Sequence, residues 1–347
     1  MNIIIKEHQY LKILNESLGI SRASLHYVNV IYKILEPTIL KFLNSKRDLN
    51  EKINIDLNNL KEVYQDFPED YIEFPIEQIV INLSCKKINK INDNANFFSG
   101  GGAYSIRPKK EKTTHVKIPS KFLPKYVTDE INKTIISEFD FTVTIFKNYE
   151  ETNKDDLLFL LRDAITHECN HMFEYYKRNE NNAPDVDNRF TWSGVKNYNV
   201  PKNIWNIWEQ FTTMLYFSQP QEMNAMTQEV YSISLRKSFE EFKQGGYWRS
   251  AIVMENFDAE EFMDNLVNEI NKYNPDYIKP ILINLRNWFI KDYVNYGVSE
   301  KLPINQKLLS KKEIFSLTKF FEPRIQLSGK KLKSNFIRTF SIPKESI

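Results

Sequence analysis

The chain is short of several residues that would simplify its reading. Among 347 residues there are two cysteines, five histidines and nine glycines, and the formal net charge is +2. Cys85 and Cys169 cannot form a disulfide framework, and free thiols suit a reducing compartment. No stretch approaches the roughly 18 apolar residues that a membrane-spanning helix needs. The apolar start is broken at once by Lys6, Glu7 and His8, too early for a secretory leader. The expected location is therefore the cytoplasm. A near-neutral balance also argues against a nucleic-acid binder working by bulk electrostatics. What is present is core material: 41% apolar and 14% aromatic residues support one large domain or two to three smaller ones.

Because histidine is scarce, the spacing of two of them is informative. His167-Glu168-Cys169-Asn170-His171 is an H-E-x-x-H run within a segment of helical pattern. Residues four apart share a helix face about one turn apart. His167 and His171 can thus offer two imidazoles to one metal ion, with Glu168 beside them as a general base. That arrangement suits a zinc hydrolase. The helix carrying it is expected to start near Thr152 or Asn153, with Asp155 and Asp156 complementing its positive end. Its apolar face is Leu157, Leu160, Leu161, Ala164, Ile165, Met172 and Tyr175, and it ends before 179–182 and Pro184.

Upstream, 4–17 and 21–44 read as helices, the second ending or kinking at Pro37. Residues 45–74 read as a polar connector with a short helix near Leu60. Strands are expected at 79–83, 114–118 and, with the cleanest alternation, 139–146. The run Ser99-Gly100-Gly101-Gly102-Ala103-Tyr104 is not followed by a helix, so it reads as a turn or a close backbone approach inside a sheet. His26 and His115 read as structural. Downstream, helices are expected at 203–217, from Pro220 to about Phe242, at 258–273, at 275–296 and from Lys311 to Phe321. A basic arm follows Pro323; it reads as solvated or protein-contacting, and nucleic acid is not its expected partner.

Two histidines need a further ligand. No histidine follows His171, and Glu174 and Lys177 stand where a metzincin would have Gly and His. An H-E-x-x-H helix after an alternating strand, with Glu222-Met223-Asn224-Ala225 on a later helix, resembles the gluzincin branch of the zincin metallopeptidases over about 76–240. The resemblance implies Glu222 as third zinc ligand, with the small Ala225 allowing close helix packing. It also implies that the strand at 139–146 binds extended peptide by edge pairing. Glu229, Asp185 and Asp187 remain alternative ligands. The thermolysin-like histidine-orienting Asp is absent, its position being Met226; Glu229 is the nearest substitute. Tyr198 or Tyr231 could stabilise an oxyanion.

The expected fold is α+β: a zincin-like core, with mixed sheet, edge strand and H-E-x-x-H helix, in a helix-dominated chain. The expected domains are an N-terminal helical region (1–75), the metal-binding domain (76–245) and a C-terminal helical region with its basic tail (246–347). The expected activity is zinc-dependent hydrolysis of peptide bonds in a peptide or protein substrate. Zinc would be held by His167, His171 and Glu222, with Glu168 as base. The alternative is an assembly subunit, such as a phage virion component, keeping zinc as a staple. The helical additions would suit that reading, and its location would be the virion. A secreted toxin protease is disfavoured by the start of the chain and the free thiols.

Overall fold

The computed structural model describes residues 22–45, 47–56, 76–90, 97–108, 135–180, 201–273 and 311–341. They form a helix-dominated α+β protein with one mixed four-stranded sheet. Expectations at 4–17, Leu60, 114–118, His115 and 275–296 lie outside the described residues, as does the side chain of His26. The chain divides into two compact units, Met1–Asn182 and Ala183–Ile347. The division falls within the stretch 76–245.

The first unit opens with α1 (Arg22–Asn44). Pro37 does not end it. Leu35, Ile39 and Phe42 on either side are fully buried, and that packing carries the helix past the missing hydrogen bond. The expected connector contains strand β1 (Leu49–Asp56), which pairs antiparallel with β2 (Ile76–Ile88). Its signal was the weak alternation of Ile53 and Ile55 with polar neighbours. Strand β3 is Phe98–Pro108 and β4 is Ile135–Phe146. The sheet order is β1-β2-β4-β3, with β2 and β4 parallel and the other pairs antiparallel.

The inward face of the sheet carries Ile79, Ile81, Leu83 and Cys85 from β2 and Phe139, Phe141, Val143 and Ile145 from β4, all buried. Register joins Leu83 to Phe141 and Phe141 to Gly102. The outward face is polar: the Asn82 amide donates to Glu138 at 2.8 Å and to Asp140 at 2.7 Å. One expectation is corrected here. The strand at 139–146 is not an edge, because β2 and β3 flank it. The glycine run supplies the flank: it lies extended and pairs along β4, so among the described residues β1 and β3 are the outer strands.

A 3-10 turn at Glu151–Asn153 leads into α2 (Lys154–Glu180). There the Glu150 backbone N–H donates to the Asn153 side-chain oxygen at 3.0 Å. α2 packs on β3 and β4 and against α1, through Leu157, Leu161, Ile165, Met172 and Phe173. Arg162 donates to Asn29 at 2.8 Å, and Tyr27 meets Phe173 edge to face.

The second unit is helical in its described residues: α3 (Lys202–Phe217), α4 (Pro220–Ser234), α5 (Phe239–Lys243), α6 (Gly246–Glu255), α7 (Ala259–Ile270) and α8 (Lys311–Phe340). Its aromatic core gathers Trp208, Phe211, Phe257, Phe262, Phe321 and Phe336. The helix expected from Pro220 to Phe242 is two. Ser238 caps α5 by accepting from the Glu241 N–H, and Glu241 accepts from the Ser238 N–H, a reciprocal box that restarts the helix. The basic arm is also corrected. Residues beyond Pro323 continue α8, because Ile325, Leu332 and Phe336 are fully buried and anchor it. Lys333 pairs with Glu255, and the Gln326 amide donates to the Phe257 carbonyl at 2.8 Å. Among the described residues no helix is long and apolar enough to cross a membrane.

Candidate metal centre

His167 and His171 fall in the second half of α2, each with its side chain on the same stripe. Their ring centroids are 4.8 Å apart and their planes 77° apart. His171 is buried and His167 partly so; Glu168 is buried at 7% exposure. Cys169, two residues from each histidine, lies some 200° round the helix from both. It is fully buried, and burial, reinforced by the charge of Glu168, pushes its thiol well above the usual range. A protonated thiol on the wrong face is no ligand.

Glu222 is in the first turn of α4 and is 3% exposed. α4 is buried on all sides from Ala225 to Ser234, so its acidic residues are in low-dielectric surroundings. Glu229, the alternative ligand, accepts a hydrogen bond from the Tyr247 hydroxyl. Tyr231 is buried at 2% exposure and Met226 is fully buried in the aromatic core. Tyr198, Asp185 and Asp187 lie outside the described residues.

His167, His171 and Glu222 form a group that could hold a metal ion: one ligand atom from each lies within 4.8 Å of the others. Two imidazoles and a carboxylate are a borderline donor set of the kind that holds a first-row divalent metal.

Glu168 faces the sheet, where its Cγ lies close above Gly102 of β3. Sequence reasoning did not couple the glycine run to the motif; the signal was the helix-breaking cluster itself, placed one strand before the motif helix. A groove of about 330 Å3 in the second unit is floored by Met214, Phe257 and Phe262 and rimmed by Asp258, Glu261 and Glu269. Two of those rim carboxylates are engaged: Asp258 caps α7, and Glu269 accepts from Lys272 and Asn203. The metal group is therefore the stronger candidate for chemistry. No family model matches the chain, and no curated protein or solved structure matches it.

Proposed function

We propose that this chain is a zinc-dependent hydrolase of peptide bonds built on a zincin-like core. The observation that carries the reading is the gathering of His167, His171 and Glu222, with Glu168 buried next to the first of them. A bound zinc ion would supply a Lewis acid and lower the pKa of water there. His167 and His171 hold the site from one turn of a rigid helix. Glu222 brings the negative charge, whose burial a divalent ion offsets. Glu168 takes a proton from the attacking water and returns it to the departing amine.

The substrate class follows from β3. Its outer edge runs past Ser99, Gly100, Gly101, Gly102 and Ala103, and none of these side chains is charged or large. Charged or bulky residues normally blunt such an edge. Among the described residues no strand pairs with this edge, and such an edge beside the base suits an extended peptide that adds as a further strand.

Glu168→Gln tests the reading. The zinc-loaded variant retains metal and loses cleavage of a mixture of internally quenched peptides by about 10²–10⁴-fold. A Gln variant as fast as the parent removes Glu168 as base. A parent that binds zinc and cleaves nothing points to zinc as a structural staple in an assembly protein.

A further inference from the structure

Two of the positions at which β3 faces the helix are glycines, Gly100 and Gly102, and the second of them makes the space that Glu168 occupies. A Cβ at Gly100 would meet Leu160 Cδ2 at 3.1 Å and the Thr142 carbonyl oxygen at 3.2 Å. At Gly102 it would meet Glu168 Cγ at 2.7 Å and the Phe141 ring at 3.0 Å, whereas at Gly101, which points the other way, it would meet nothing within 4 Å. Leu160 and Glu168 are two turns apart on one stripe of α2. Alternate glycines thus lay the strand backbone directly on the stripe that carries the base.

Phe141 is the cross-strand partner of Gly102 and is fully buried. Its ring lines one side of the slot, 3.0 Å from where a Cβ at 102 would sit. We infer that Gly102 is a positioning residue for Glu168: its missing side chain leaves the space in which the Glu168 stem lies against β3. The inference rests on the reading of Glu168 as the base. An added methyl at 102 would displace Glu168, the flexible member of the contact, and leave His167, His171 and Glu222 untouched. The loss would then fall on proton transfer and not on metal binding.

The zinc-loaded parent, Gly102→Ala and Gly101→Ala are compared on internally quenched peptides for kcat, KM and zinc affinity. Gly102→Ala is expected to lose kcat by roughly tenfold or more beyond any loss at Gly101→Ala, with KM and zinc affinity close to the parent's. A thermal double-mutant cycle with Glu168→Ala gives a readout independent of turnover. Gly102→Ala lowers Tm in the parent and lowers it less once Glu168 is truncated. Additive melting shifts, or a Gly102→Ala protein as fast as Gly101→Ala, overturn the assignment. An active parent whose kcat is indifferent to Gly102 sinks this inference alone. A zinc-loaded parent without turnover sinks it together with the hydrolase reading.

Discussion

The imidazole rings of His167 and His171 stand edge to face, 4.8 Å between centroids and 77° between planes. Crossed rings from one helical turn can aim one nitrogen each at a common point, which two parallel stacked rings could not. This relationship predicts that metal content depends on both. Alanine at His167, His171 or Glu222 should lower zinc affinity by more than about a hundredfold, since even changes to supporting partners cost 10–100-fold. Elemental analysis of the purified proteins checks it. Stoichiometric zinc in the Glu222→Ala variant would remove that ligand.

Metal removal should also be visible as stability. A ligand that binds only the folded chain adds about 2.7 kcal/mol at a free concentration of about 100 times its Kd. Chelation should therefore lower the melting temperature of the parent. The His171→Ala variant should melt at the same temperature with or without zinc. Calorimetry in matched buffers reads both.

The motif helix was legible because scarcity and spacing coincided: with five histidines in the chain, His167 and His171 four apart stand out. Strand β4 was legible in its position and alternation, but its place in the sheet was not. Period-2 patterning tells which face of a strand is buried and says nothing about which neighbours flank it. β1 was missed because only Ile53 and Ile55 alternate within a stretch of Asn, Asp and Lys. The helix past Pro323 was missed because a local rule against proline was outweighed by burial of Ile325, Leu332 and Phe336, which only the tertiary fold supplies. The break after Ser234 was readable: Ser238 and Glu241 have the spacing of a capping box.

Gly329 marks where α8 crosses α6. A Cβ there would collide with the Glu255 backbone nitrogen and meet the Ala251 carbonyl oxygen at 2.8 Å. Backbone atoms cannot rotate away, so Gly329→Ala must part the helices. The expected cost is about 1–3 kcal/mol, as for overpacked cores generally. Urea unfolding measures it, and a midpoint unchanged from the parent would contradict the crossing.

Both thiols should be inert in the folded protein. Burial, with a smaller contribution from the Glu51 charge, pushes Cys85 up to about 12, and Cys169 is raised for the same leading reason. Thiolate is the reactive form, so iodoacetamide at pH 8 should label neither residue until denaturant is added. The linkage has a definite sign. Between the unfolded value near 9 and the folded value near 12, the native state binds the extra proton. Stability from this source is therefore complete below pH 9 and declines as pH rises toward 12. Cys85→Ala should flatten that alkaline decline.

Asp258 should govern the acid side of the second unit. Its carboxylate accepts from the backbone N–H of Glu260 at 2.7 Å and of Glu261 at 3.1 Å, capping α7. Those bonds, with that to Glu261 the larger influence, hold its carboxyl below the usual 3.8. A lowered folded value means the unfolded chain takes up the proton first. The cap's contribution is thus fully present above pH 4 and is lost as pH falls through the folded value. Asp258→Ala should lower the melting temperature at pH 7 and lower it progressively less as the solution is acidified below pH 4. Asp258→Ser, which keeps a capping oxygen without a charge, should recover much of the loss at neutral pH and show no acid-dependent decline at this position. Melting curves of the three proteins across pH 2–7 distinguish a capping role from general surface charge, because only the former is rescued by serine.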